Sequence, residues 1–362
     1  MKVSSTRVIG LDFARAWAML GMMIVNYVVI LNAEHNGPDW LIALSSLFQG
    51  RASTVFVVLA GIGIAFMTKK ARISGDSALL QTSRRVLWNR SLFLFVAGML
   101  LYLGGWSGDI LHYYGVYMLI ASFLLVVSGK TLLLAFSGIL LTAQALQLSL
   151  NYLQGWDSRH PFIEYLDFWT VEGFLRNLLY NGYHPVFPWM CFFLLGLWLG
   201  RRNLLDRSVR KKMLGWATAL FVSLEVFSYG LIKLSIPVVG NEMALFLWGT
   251  KPVPPNLFYV LSSSSTAVII ILLCVSFAEK FANSWFTQTW VKTGQLTLTH
   301  YVSHIIIGLG FLAFIGRLEN QTLTFAMLYA VGFFLFSIVL TLIWRRWFVR
   351  GPLESFMRKI SG

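Results

Sequence analysis

The chain has 362 residues, of which 57% are hydrophobic and 12% charged, with 29 Lys and Arg against 15 Asp and Glu, a formal charge of +14 and a mean hydropathy of +0.69. Soluble globular domains carry roughly a quarter of charged residues, so a water-soluble fold is excluded and the bilayer is the solvent. On such a chain the positive excess does not point to nucleic acid, and no nucleic-acid partner is expected.

The apolar residues come in blocks of about 17–24 between short polar segments; about 20 residues at 1.5 Å rise cross a hydrocarbon core of roughly 30 Å. Helices are the spanning element because each satisfies its own backbone hydrogen bonds. In chain order the predicted spans are Ile9–Leu31, Ser53–Met67, Ser91–Trp106, Ile110–Val127, Thr131–Leu150, Val186–Leu199, Leu214–Ile232, Leu257–Phe277, Thr293–Ile315 and Thr322–Trp344. The fold class is therefore all-α, a polytopic bundle of about ten transmembrane helices with both termini on one side. The first span is long and lacks a small-residue cleavage site, so it is expected to remain as a helix.

Placing every Lys and Arg on that topology puts 22 of the 29 on one side: Lys2 and Arg7, Lys69 to Arg90, Lys130, Arg201 to Lys212, Lys280 and Lys292, and Arg345 to Lys359. Six lie opposite (Arg51, Arg159, Arg176, Lys233, Lys251 and Arg317), and Arg15 is intramembrane. Basic loops face the cytoplasm, so both termini are predicted to be cytoplasmic and anionic lipids to be the partners of those loops. A multi-pass protein of a plasma membrane, in bacteria the inner membrane, is the expected localisation. No linker, low-complexity tract or clear repeat interrupts the array, so residues 1–362 read as a single domain. In the long external segment 151–183, Phe162, Leu166 and Trp169 share one helical face and Glu164 and Asp167 the other, which predicts a short interfacial helix with a solvated acidic face. Cys191 and Cys274 both lie inside spans and read as packing residues.

Polar side chains inside a bilayer cost several kcal/mol unless paired, so each is a functional candidate. Asp12, Arg15 and Asn26 fall within about 60° of arc on the first span, a face that must look into the bundle. An Asp12–Arg15 pair that only fixes packing competes with a reading in which Arg15 meets an anionic cofactor from the cytoplasm. Beyond that span come Glu34, His35, Asn36 and Asp39, where a histidine can act as a general base near neutral pH. Asp109 with His112, at the outer start of the fourth span, and His184, at that of the sixth, are expected at the same membrane level, whereas His160 reads as incidental. In the ninth span His300 and His304 stand four residues apart beside Tyr301 and are predicted to be a hydrogen-bonded pair lining a polar cavity. No HExxH pattern or third ligand accompanies them, and no metal is expected. Glu225, alone in the seventh span, needs a partner or a proton. Ser262 to Ser265 with Thr266 read as small residues that permit close helix packing.

The segment RVIGLDFARAWAMLGMMIVNY, from Arg7 to Tyr27, resembles the R-x-x-x-L-D-x-x-R-G opening shared by bacterial domain-of-unknown-function 418 membrane proteins and heparan-alpha-glucosaminide N-acetyltransferase-type proteins, with Ala16 in place of the glycine. LFQGRASTVFVVLAGIGIAF, GDILHYYGV, HPVFPWMCFFLLGLWLGR, GQLTLTHYVSH and GPLESFMRK resemble further motifs in the same order. The resemblance implies a transmembrane acyltransferase that takes an acyl group, acetyl in the first instance, from cytoplasmic acyl-CoA to an extracytoplasmic glycan, glycolipid or similar acceptor. The heparan-type histidine of the first external loop falls on His35, which the resemblance makes the catalytic residue. Related acyltransferases carry theirs at the end of the first span, which is Asn26 here, so that arrangement does not carry over. Arg15, Asp12 and Asn26 would then serve acyl-CoA, while Asp109, His112, His184, Glu225, His300, Tyr301 and His304 would line the substrate passage. The rival from another class is a transporter or flippase for a small lipid or metabolite, with the same polar groups as a midplane site; a membrane scaffold is the third. Whether the chain is an enzyme, and whether it forms a homodimer, the sequence leaves open.

Overall fold

The computed structural model describes residues 8–158 and 162–362. Lys2, Arg7, Arg159 and His160, which entered the charge count and the loop reading, lie outside the described residues. Among the described residues the chain is helical, and its only β feature is an isolated antiparallel bridge between Trp156 and Tyr165.

The helices are α1 (Ile9–Ile30), α2 (Asp39–Ser46), α3 (Arg51–Met67), α4 (Lys69–Ser74), α5 (Ser77–Leu103), α6 (Leu111–Phe123), α7 (Gly129–Ser149) and α8 (Val171–Asn181). They continue with α9 (Val186–Leu199), α10 (Arg207–Trp248), α11 (Leu257–Lys280), α12 (Trp285–Gly294), α13 (Thr297–Phe314), α14 (Leu323–Trp344) and α15 (Pro352–Ser361). Local chemistry sets several starts. Asp76 accepts from the backbone N–H groups of Ala78 and Leu79 at the head of α5, and Ser128, Ser284 and Thr322 do the same for α7, α12 and α14. In α10, Pro237 and a left-handed Gly240 (φ +80°) break the run, so its 42 residues are not one straight rod.

Eight helical segments among the described residues are long and apolar enough to cross a membrane, and a ninth counts if the bent pair α8 and α9, at 48°, is one crossing. All ten expected segments are helical, but the fourth is shorter than predicted: α6 has 13 residues, about 20 Å of rise. The reason lies in its packing. Leu111 to Gly115, Tyr117, Met118, Ala121 and Ser122 are all buried in protein, so α6 need not carry a lipid-facing apolar surface along its length.

Two compact units are distinguished. The first comprises residues 1–59, 203–217 and 266–355, and the second 60–202, 218–265 and 356–362. In the first, α1 packs against α12 and α14, with Phe13, Trp17, Phe286 and Trp290 forming an aromatic seam whose ring centroids lie 4.5 to 6.0 Å apart. In the second, α5 packs on α6 and α7 on α9.

The expected interfacial helix over Phe162 to Trp169 is not formed. That stretch is a turn-rich loop in which Phe162 has a positive φ of 66° and Phe168 is buried, stacked on Tyr102 at 3.6 Å. Asp167, though 39% exposed, is an ion-pair partner of Arg176. Alternation along a helix was mimicked by aromatic residues that anchor a loop.

Candidate functional site

In the first unit, α1 brings a charged group to its opening turn. Asp12 is 1% exposed; Arg15 Nη1 donates to its Oδ1 at 2.5 Å and Gln295 Nε2 to its Oδ2 at 3.2 Å. Arg345 Nη2 donates to Gln295 Oε1 at 3.0 Å, so a second guanidinium stands behind the amide. The Arg15 side chain remains 27% exposed, so its pairing does not enclose it. An arginine fixed at one edge and open at another can still receive an anion, with planar donors left for two oxygens.

Further along α1, Asn26 Nδ2 lies 2.9 Å from His304 Nε2, and His304 Nδ1 meets the carbonyl of Tyr301. A carbonyl cannot donate, so Nδ1 carries the proton and Nε2 accepts from the Asn26 amide. The basic lone pair of His304 is thereby engaged. At His304 the helix widens into a π-turn, His304–Leu309; there the His304 carbonyl accepts from Tyr27 Oη at 2.8 Å and the Gly308 carbonyl from Tyr329 Oη at 2.7 Å.

His300 and His304 are not the mutually bonded pair that their spacing suggests. His300 Nε2 pairs with Thr341 Oγ1 on α14 at 2.7 Å, whereas His304 pairs with α1. Two helix neighbours thus serve to tie α13 to two different helices. Among the described residues no group of three or more His, Cys, Asp or Glu is placed to hold a metal.

His35 sits in the turn between α1 and α2, exposed. Its flanks are pinned: the Asn36 carbonyl accepts from the Leu323 N–H at 2.8 Å, Asn36 Nδ2 donates to the Gln321 carbonyl at 3.2 Å, and Gln49 Nε2 donates to Glu34 Oε1 at 3.2 Å. The imidazole itself makes no hydrogen bond or ion pair among the described residues. The first unit therefore brings together Asp12 with Arg15, and Asn26 with Tyr301 and His304, and holds His35 on an anchored loop bonded to neither group.

The second unit carries a separate cluster. Asp109 and His112 are fully buried, and Asp109 Oδ2 accepts from both the backbone N–H of His112, at 3.0 Å, and its Nδ1, at 2.8 Å. The carboxylate thus places the imidazole proton on Nδ1 and leaves Nε2 as the lone-pair atom, buried and without a partner among the described residues. This is the arrangement of an oriented general base. Tyr113 packs on His112 at 3.9 Å and stands 6.0 Å from His184, and its hydroxyl donates to Asn177 Oδ1 at 2.5 Å. The His184 ring meets the Trp189 indole edge-on at 4.4 Å, and His184 Nδ1 and Trp189 Nε1 are likewise buried without partners. Trp189 was not singled out as a site residue, although it stands in the HPVFPW stretch five residues after His184.

Glu225 is settled by hydroxyls: Ser262 Oγ donates to it at 2.5 Å and Thr250 Oγ1 at 3.0 Å. Ser262 is thus a hydrogen-bond donor rather than only a small packing residue, and Thr266 Oγ1 accepts from Arg51 Nη1 at 3.0 Å. Sequence reasoning also missed Gln295, Thr341 and Glu354. The last caps α13: Glu354 Oε1 accepts from the N–H groups of Leu298, at 2.8 Å, and Thr299, at 3.1 Å, and its Oε2 from Thr299 Oγ1 at 2.5 Å. Burial pushes this carboxyl up from its usual range, against the lowering effect of those donors.

Comparison with known proteins gives these features a setting. Residues 7–236 match the family described as "Heparan-alpha-glucosaminide N-acetyltransferase, catalytic", and residues 199–362 match that described as "Protein of unknown function (DUF418)". The chain is also similar to the uncharacterized protein YeiB of Escherichia coli (strain K12), 23% identical over 387 aligned positions covering 98% of this chain and 96% of that protein. Since the first match takes in well over half of the sequence, including Asp12, Arg15, His35, Asp109, His112 and His184, the chain belongs to the heparan-alpha-glucosaminide N-acetyltransferase catalytic family.

Proposed function

We propose that this protein is an acyl-CoA-dependent transmembrane acyltransferase that moves an acetyl or related acyl group from cytoplasmic acyl-CoA to a hydroxyl or amine of an extracytoplasmic glycan or glycolipid. Family membership supports the reaction class, and the observation that carries the assignment is Arg15, fixed by Asp12 yet 27% exposed near the predicted cytoplasmic end of α1. In this reading Arg15 holds phosphate or carbonyl oxygens of the donor. His35 takes the acceptor proton as the acyl carbonyl carbon is attacked, and CoA leaves as the thiol. Asn26, Tyr301 and His304 line the route in the first unit; the Asp109–His112 dyad with His184 is a separate proton-accepting group in the second. Residues 1–362 act as one functional domain, since the chain passes between the two units five times. The direct test is whether the purified protein in detergent binds or hydrolyses acetyl-CoA; a transporter or scaffold does neither.

Arg15→Lys keeps the charge but loses the planar donor fork, so this variant is expected to insert and accumulate while losing at least about tenfold in acetyl-CoA affinity. Unchanged binding would return Arg15 to a packing role.

The topology belongs to the same proposal. In this proposal the eight long helices, the bent pair as one crossing and the buried α6 would make ten crossings with both termini in the cytoplasm, in the inner membrane of a bacterial envelope; eight or nine sufficiently long and apolar spans support it. A reporter fused after Gly362 is expected to be cytoplasmic and one inserted at Ser158 external; the same side for both would overturn the ten-crossing arrangement.

A further inference from the structure

In the second unit the C-terminal part of α3, from Ala60 on, finishes close to the ends of α6 and α9. Gly200, just after α9, lies so near α3 that a Cβ there would stand 2.7 Å from Ala65 Cβ and 3.0 Å from Ile62 Cα. Arg201, the next residue, reaches the end of α6, where Nη2 donates to the carbonyls of Leu124 and Leu125 at 3.2 Å each and Nη1 to that of Val127. Arg84 of α5 reaches the same end, its Nε donating to the Ser122 carbonyl at 3.2 Å. Carbonyls at a helix C-terminus are the negative pole of its dipole, which accounts for these two arginines.

Arg72 has no such account. It follows α3 by one helical turn, its N–H bonded to the Thr68 carbonyl at 3.0 Å, and it faces Arg201 closely enough that the two guanidiniums repel. Its side chain makes no hydrogen bond or ion pair among the described residues, and its Nη1 is buried. Arg201 Nε is also buried without a partner. Among the described residues no carboxylate pairs with Arg72, Arg84 or Arg201. Burial first, and then the facing Arg72, push Arg201 down to about 10, and burial lowers Arg72 as well. Like charges brought together with unfilled N–H donors are stabilised by an anion that offers several acceptor oxygens.

We propose that Arg72 and Arg201, with Arg84 behind them, form a binding site for a phosphate group at the end of the second unit where α3, α6 and α9 finish. A phosphate has the charge to offset two guanidiniums and the oxygens to fill the buried Nη1 of Arg72 and Nε of Arg201. It can come from a nucleotide cofactor such as coenzyme A or from a lipid headgroup. The site does not depend on acyl transfer: phosphate binding is read without turnover and stands even if the chain transfers nothing.

The test follows the melting temperature of the full-length protein, purified in dodecyl maltoside in gluconate buffer, against inorganic phosphate, coenzyme A and dephospho-coenzyme A. A parallel series uses phosphatidylcholine nanodiscs with and without phosphatidylglycerol. Arg72→Gln is the informative variant because the side chain it removes makes no hydrogen bond or ion pair among the described residues. Without phosphate it is expected to melt at or above the wild-type temperature, since a repulsion is removed. With the phosphate that fits, wild type rises and Arg72→Gln binds at least about tenfold more weakly, reversing the order. Preference for coenzyme A over its dephospho form marks the cofactor as the source, and a response confined to phosphatidylglycerol marks the lipid. Stabilisation equal in both proteins, or by none of the probes, would overturn the site, as would an Arg72→Gln protein already weakened in gluconate.

Discussion

Replacing His35 with alanine is expected to lower acyl transfer by roughly 10²–10⁴-fold, the range for a lost general base, while acyl-CoA affinity stays nearly unchanged. The loop geometry makes this a clean substitution. Glu34 and Asn36 hold the loop through Gln49, Gln321 and Leu323, and the imidazole between them is exposed and bonded to nothing among the described residues. A chemical effect will therefore appear without a folding effect. His304→Ala differs in kind: it releases the Asn26 amide and removes a packed ring, so accumulation and activity fall together. The decisive measurement is transfer by His35→Ala, His112→Ala and His304→Ala at matched expression, with acyl-CoA binding measured for each. Full activity in the first with collapse in the second would move the proton transfer to the Asp109 dyad; collapse only in the third would move it into the heart of α13.

The largest stability effect is expected at Gly294, the last residue of α12. An added Cβ would sit 1.8 Å from the carbonyl oxygen of Asp12, 2.7 Å from its carbon and 3.2 Å from the Ala16 nitrogen, all backbone atoms that no rotamer change can move. Even alanine must separate α1 from α12, drawing Gln295 away from Asp12 and opening the Phe13–Trp290 contact. A loss of about 3 kcal/mol, the upper end of ordinary overpacking, is expected for Gly294→Ala, read as a lower melting temperature and reduced yield of folded protein in detergent. Gly310→Ala, where a Cβ meets nothing within 4 Å, is the matched control and should be neutral. Equal behaviour of the two variants would mean that the α1–α12 contact is not as close as described.

The spans were legible because hydropathy and helix length are local properties. Val186–Leu199 matches its expected limits, and Ile9, Leu257 and Trp344 mark ends that both readings share. Shortening of α6 was not legible, because whether an apolar segment faces lipid or protein depends on neighbours distant in sequence. The same holds for the loop around Phe168, whose aromatic spacing is helix-like but whose rings are claimed by Tyr102 and Trp156. At the site, Asp12–Arg15 could be seen as a pair three residues apart on one strip of helix, and Asp109–His112 as a pair at the outer start of a span. Partners across the bundle could not: Asn26 to His304 is a separation of 278 residues, and Glu225 to Ser262 one of 37. The π-turn has no distinguishing sequence mark either: the three β-branched residues and the glycine of HIIIGL lower helix propensity but are ordinary in membrane-spanning helices.

The Glu354 cap has a consequence for the order in which the molecule is made. Leu298, whose N–H it fills, is synthesised 56 residues earlier. When the stretch that becomes α13 is made, the carboxylate that finishes its first turn does not yet exist, and the whole of α14 is synthesised before it does. The histidines of α13 therefore begin on a helix with an open end, and that end closes only once the residues beyond α14 have been made. A chain halted after α14 would have every long helix in place and still lack the clasp that seats the one bearing His300 and His304.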